Sequence, residues 1–140
     1  MGSRRQSREL ALQMLYQWDV GKNSPEHVLS HFFVGKKVDS DEEAFARLLF
    51  EGTVNNIEAL DRKVRECSEH WRLERMAAVD RNIIRLALCE LLHYARTPAP
   101  VVINEAVELA RRFSGEEAVE FVNGVLDGVW KKEAAAKSRS

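Results

Sequence analysis

The chain has 140 residues, 45% of them apolar and 31% charged, with a net charge of −1. That is the size and composition of one globular domain, and it argues against a disordered segment. No apolar run is long enough to span a bilayer and no signal peptide opens the chain, so a cytoplasmic protein is expected.

The seven glycines and three prolines fall between periodic segments, which favours helices. Cys67 and Cys89 lie far apart without metal-binding spacing and read as reduced thiols. The charge is unevenly spread. Residues 1–8 and residues 131–140 each carry +3, so the total of −1 leaves −7 for residues 9–130. Basic ends around an acidic body suit contact with a polyanion, and equally suit simple solubilising ends.

Residues 4–20 predict a first helix with Leu10, Ala11, Met14, Leu15 and Trp18 on its core face. Arg5, Leu12 and Tyr16 form a second stripe, with Arg8 about 40° from Leu12. Two arrangements fit that stripe. Either Leu12 and Tyr16 pack on a neighbouring helix, or the ring and the arginines are displayed together, as single-stranded RNA binding needs. Ser24-Pro25-Glu26 is a strong helix start, opening a short helix to about Val34. His27 and His31 share its face, but no further metal ligands lie nearby in sequence. Ser40 and the acids Asp41, Glu42 and Glu43 open a third helix, expected to bend near residues 53–56. The connector Ser68–Met76 is expected to be anchored by Trp71 and Leu73.

The segment Val79–Tyr94 predicts the central helix. Val79, Ile83, Ile84, Leu86, Ala87, Leu88, Leu91 and Leu92 form an apolar arc too wide for a surface helix. Its gap, at Asn82, Arg85, Cys89 and His93, must meet water or a polar partner. After Thr97-Pro98-Ala99-Pro100 breaks the chain, a further helix turns Ile103, Ala106, Val107, Ala110 and Phe113 inward and Arg111 and Arg112 outward. The last helix, about 117–131, buries Ala118, Val122, Val125, Leu126 and Val129. Phe121, Gly124, Gly128 and Lys132 share one edge of it, open to a neighbouring helix or to a ligand.

ELALQMLYQWD, VDRNIIRLALCEL, and VVINEAVELARRF followed by FVNGVLD stand in an order and spacing that resemble the NusB family of bacterial transcription antitermination factors. The resemblance covers nearly the whole chain. It implies an all-α, NusB-like helical bundle of about six to seven helices in two packed subbundles. The single RNA-binding domain is expected over residues 1–132, with subbundles at about 4–69 and 77–131 and a basic, flexible tail at 133–140. The implied activity is binding of the boxA element of nascent ribosomal RNA transcripts together with NusE, a small-subunit ribosomal protein. The pair would help assemble an antitermination complex on RNA polymerase. By motif, Arg4, Arg5, Arg8, Tyr16 and Phe121 are assigned to RNA and Asp80 to the NusE-facing surface. An acid at a helix start also serves at Asp80 on electrostatic grounds alone. Glu90 and Asn104 match family motifs and are expected to be structural, hydrogen-bonded in the core.

A similar helical module precedes the catalytic domain of some ribosomal RNA cytosine methyltransferases. Here no strand–helix alternation or glycine-rich loop follows, and no triad, paired carboxylates or metal cluster stands out. No enzymatic activity, cofactor or metal is expected. The alternative is a helical protein-interaction module or a homodimeric scaffold, self-associating through the RNA-binding side.

Overall fold

The computed structural model describes residues 3–67, 72–94 and 96–138, and Trp71 lies outside them. Within this set are seven helices: α1 (Arg4–Asp19), α2 (Pro25–His31), α3 (Ser40–Asn55), α4 (Ile57–Cys67), α5 (Ala78–His93), α6 (Ala99–Phe113) and α7 (Glu116–Ser138). A 3-10 turn at Leu73–Arg75 leads into α5.

Local chemistry explains most of the boundaries. The Ser3 hydroxyl caps α1 by accepting the Gln6 amide, and Ser24 does the same for His27 ahead of Pro25. In α3 the cap position is Asp39 rather than Ser40, and three acids fill the first turn, where the helix dipole favours them. The expected bend at residues 53–56 is a break. Asn56 leaves the helical conformation and its side-chain amide donates to the Gly52 carbonyl at 2.7 Å, which separates α3 from α4. Gly115, at φ +134°, makes the turn between α6 and α7 that a side chain would strain.

The C-terminal segment departs from expectation. Residues 133–138 continue α7 instead of forming a separate tail. Glu133-Ala-Ala-Ala-Lys137 is built from strong helix formers, and Glu133 pairs with Lys63 of α4.

Helix α5 is the axis of the fold and packs against α1, α3, α4, α6 and α7. Every residue from Asn82 to Leu91 is buried. Each fully buried Leu or Ile there contributes about 1.5–3 kcal/mol relative to exposure. Contacts set the helix directions. Arg8 meets Glu90 while Asp19 meets Asn82, so α1 runs antiparallel to α5. Arg5 meets Glu105 and Glu9 meets Arg112, so α6 runs alongside α1 in the same direction.

The polar gap in the α5 arc meets polar partners. Arg85 forms a two-point pair with Asp61 of α4 at 2.9 Å for each contact. Asp19 accepts from Arg81 at 2.7 and 2.9 Å and from Asn82 at 3.1 Å. Arg81 also donates to the Leu73 and Met76 carbonyls, fastening the connector to the start of α5. Burial pushes the Asp19 carboxyl up, but hydrogen bonds from Arg81 and Asn82 and the charges of Arg81 and Arg85 outweigh it and hold the group below its ordinary value. Cys89, buried in the same helix, has its thiol pushed up to about 11, mainly by burial.

Candidate nucleic-acid interface

The residues assigned to RNA fall into two sets. On α1, Tyr16 is 44% exposed and lies two turns beyond Glu9 on one helix face. Leu12, from the same stripe, is buried. The stripe is thus split, with its middle in the core and its aromatic end at the surface. Arg5 is exposed and makes a two-point pair with Glu105 at 3.1 Å for each contact, leaving one terminal nitrogen unused. The Arg4 guanidinium lies over the Phe45 ring, 3.8 Å from its centre. It lines a depression of about 650 Å³ between α1 and α3, with Phe45, Leu48 and Glu42.

Arg8 departs from its expected place. It is buried, and its guanidinium grips both oxygens of the equally buried Glu90, at 2.6 and 2.8 Å. A phosphate reaching Arg8 would have to displace a carboxylate inside the core and leave that charge uncompensated. The residue belongs to the frame rather than the surface, because α5 covers the face of α1 on which it sits. Glu90 is core and hydrogen-bonded, as its motif implied. Asn104 is exposed on α6 rather than hydrogen-bonded in the core.

Phe121 lies on α7, half-buried against the core. The glycines that share its edge are open: a Cβ built on Gly124 or Gly128 would meet nothing within 4 Å. Among the described residues no neighbouring helix fills that strip, so it faces solvent. Helix α6 links α1 and α7, packing on α7 along its length and tied to α1 through Arg5–Glu105 and Arg112–Glu9.

Asp80 sits in the first turn of α5, half-buried, and its Oδ1 is buried without a hydrogen-bond partner among the described residues. A buried acceptor of this kind is uncommon, and the positive end of the helix dipole offsets part of its cost. The opposite side of α7 carries a different feature. There a groove of about 520 Å³ between α6 and α7 is lined by Ile103, Asn104, Val107, Asn123 and Trp130. On a helical wheel Trp130 stands about 180° from Phe121, so the two surfaces flank the core stripe on opposite sides. Among the described residues, no group of three or more His, Cys, Asp or Glu side chains is placed to hold a metal ion.

An all-helical scaffold with a partly exposed tyrosine and exposed arginines on its first helix has the build of a binding protein. Its membership is settled by comparison. The NusB family model matches residues 5–131, and the chain belongs to the NusB family. The transcription antitermination protein NusB of Koribacter versatilis is 51% identical over 99% of this chain and 97% of its own length. That of Leptospira biflexa is 41% identical over 98% of each. Among solved structures, T. maritima NusB aligns with a TM-score of 0.84 at 32% identity, over 94% of this chain and 93% of that one. A crystal structure of the antitermination factors NusB and NusE in complex with double-stranded RNA contains a chain that aligns with a TM-score of 0.83 at 28% identity, covering 92% and 96%.

Sequence reading missed the acid partners of the outer arginines, Glu9 and Glu105, and the exposure of Phe113. For Phe113 a signal existed: it is the last residue of its helix, ahead of Ser114-Gly115, so no later turn of α6 covers it.

Proposed function

We infer that the protein is a transcription antitermination factor that binds the boxA element of nascent transcripts jointly with NusE and helps assemble the antitermination complex on RNA polymerase. It is not an enzyme, in keeping with its family. The observation that carries the reading is the partly exposed Tyr16 ring on the helix that also bears the exposed Arg4 and Arg5, together with the open backbone at Gly124 and Gly128 on the edge of α7 that carries Phe121. A ring of this kind stacks on an unpaired base, so the RNA is engaged as a single strand.

Within this reading Arg4, Arg5, Tyr16 and Phe121 contact RNA, and Arg8 acts indirectly by holding α1 on α5. Asp80, with an unpartnered oxygen at the start of α5, receives a donor from NusE. No helix among the described residues is long and apolar enough to cross a membrane, which suits action in the cytoplasm.

The test is binding to a single-stranded boxA RNA, a scrambled strand and a duplex, with and without NusE, across a salt series. The reading predicts preference for the boxA strand, tightening by NusE, and affinity that falls with salt by about 0.7 log units per log unit for each phosphate contacted. If no RNA is bound even with NusE present, the protein is a helical protein-interaction module instead.

A further inference from the structure

Phe113 is an aromatic ring on the buried face of α6 that the fold nevertheless leaves 41% exposed. Beside it, the Arg112 guanidinium lies 5.4 Å from the ring centre and pairs with Glu9 of α1. The layering of this pair is informative. The Arg112 side chain is 63% exposed and Glu9 only 10%; for Arg5 and Glu105 the values are 61% and 16%. In both pairs the acid is the inner anchor and the arginine faces solvent. Arg112 spends one terminal nitrogen on Glu9, so its remaining N–H groups are available outward. Glu9 and Tyr16 share one face of α1 at a spacing of two turns, about 10 Å along the axis. Arg112 and Phe113 therefore flank the same strip as Tyr16, at the end of the bundle where α6 stops and turns into α7.

We propose that Arg112 and Phe113 form a further single-stranded RNA subsite adjoining Tyr16, in which Phe113 stacks on one base and Arg112 contacts an adjacent phosphate. The proposal rests on the RNA-binding reading above. Glu9 serves as a positioning residue, holding Arg112 forward so that less side-chain freedom is lost when the phosphate arrives. Arg111 is not part of the subsite, since Glu108 and Glu116 both engage it from the exposed side of α6.

The experiment measures binding of a fluorescent single-stranded boxA RNA by the full chain and by Phe113→Leu, Phe113→Tyr, Arg112→Gln and Tyr16→Asp variants, each checked for an unchanged helical spectrum and melting temperature. Phe113→Leu is expected to weaken binding by about 5- to 100-fold, the loss of one base–aromatic stack, and Phe113→Tyr to restore most of it. Arg112→Gln is expected to make the log–log salt slope shallower by about 0.7, one phosphate contact. If the full chain binds and Tyr16→Asp weakens it, while Phe113→Leu and Arg112→Gln leave affinity and slope unchanged, the subsite is wrong and the RNA reading stands. If the full chain does not bind RNA at all, both fall. If Phe113→Leu weakens capture of NusE but not of RNA, the pair belongs to a protein contact and the proposal is overturned.

Discussion

Helix α1 carries arginine–glutamate pairs on two of its faces, and the faces use them differently. Toward α5, Arg8 and Glu90 are both buried, and the pair joins two helices inside the core. Toward α6, the acids lie deeper than their exposed arginines: Glu9 is buried beneath Arg112 and Glu105 half-buried beneath Arg5. The same chemistry makes a clamp where both partners are desolvated, and a presented cation where the acid lies deeper than the arginine. Burial of each partner, rather than residue type, separates framework from interface.

That contrast can be broken by substitution. Arg8→Ala leaves Glu90 charged and unpaired in the core and is expected to cost about 3–5 kcal/mol, read by denaturant unfolding. Replacing both partners with Met should recover most of it. A loss of less than about 1 kcal/mol for Arg8→Ala would mean that the buried face is not a clamp.

Asp19 is next in size. Asp19→Asn removes the carboxylate shared by Arg81, Arg85 and Asn82 and should cost about 2–3 kcal/mol. The pH dependence has a definite sign. The folded-state value lies below the ordinary 3.8, so the stabilisation is complete above about pH 5 and is lost as pH falls through 3.8 toward the lower folded value. Melting curves of Asp19→Asn over roughly pH 2.5 to 6 should show a shallower acid slope than the parent.

On the exposed side the effects move from stability to binding. Tyr16→Asp should leave unfolding within about 0.5 kcal/mol of the parent, yet weaken boxA binding by about 10- to 100-fold. Equal losses in stability and binding would return Tyr16 to the framework. The smallest effect sharpens the comparison most. Gly124→Ala meets no atom within 4 Å, so it should stabilise α7 by about 0.5–1 kcal/mol. It should nevertheless weaken RNA binding several-fold, because the added methyl stands where a ligand approaches the backbone. A variant that is more stable and binds equally well would show that RNA keeps clear of this strip.

Much of the framework was legible in the sequence for physical reasons. The apolar arc of α5 required neighbours on nearly every side, and its polar gap at Asn82 and Arg85 required the partners that Asp19 and Asp61 supply. Periodicity did not reveal which stripes another helix would cover. Arg8 sits near the Leu12 stripe on a wheel, but α5 overlies that side, so proximity to Tyr16 on one helix did not make it accessible. Phe113 shows the converse: it continues an inward stripe at a helix end, where the cover runs out. The motif around Asn104 implies a core residue, yet Asn104 faces the groove between α6 and α7, because that groove is left open. The break at Asn56 depended on a side-chain-to-backbone hydrogen bond that local spacing suggested only as a bend.

The most direct test is to map amide NMR shifts as single-stranded boxA RNA is added to the labelled full chain. Perturbations centred on Tyr16, Phe121, Gly124 and Gly128, with Arg8 and the α5 core unmoved, are the predicted result. Perturbations centred instead on Ile103, Asn104, Asn123 and Trp130 would put the RNA on the opposite side of α7 and contradict the account.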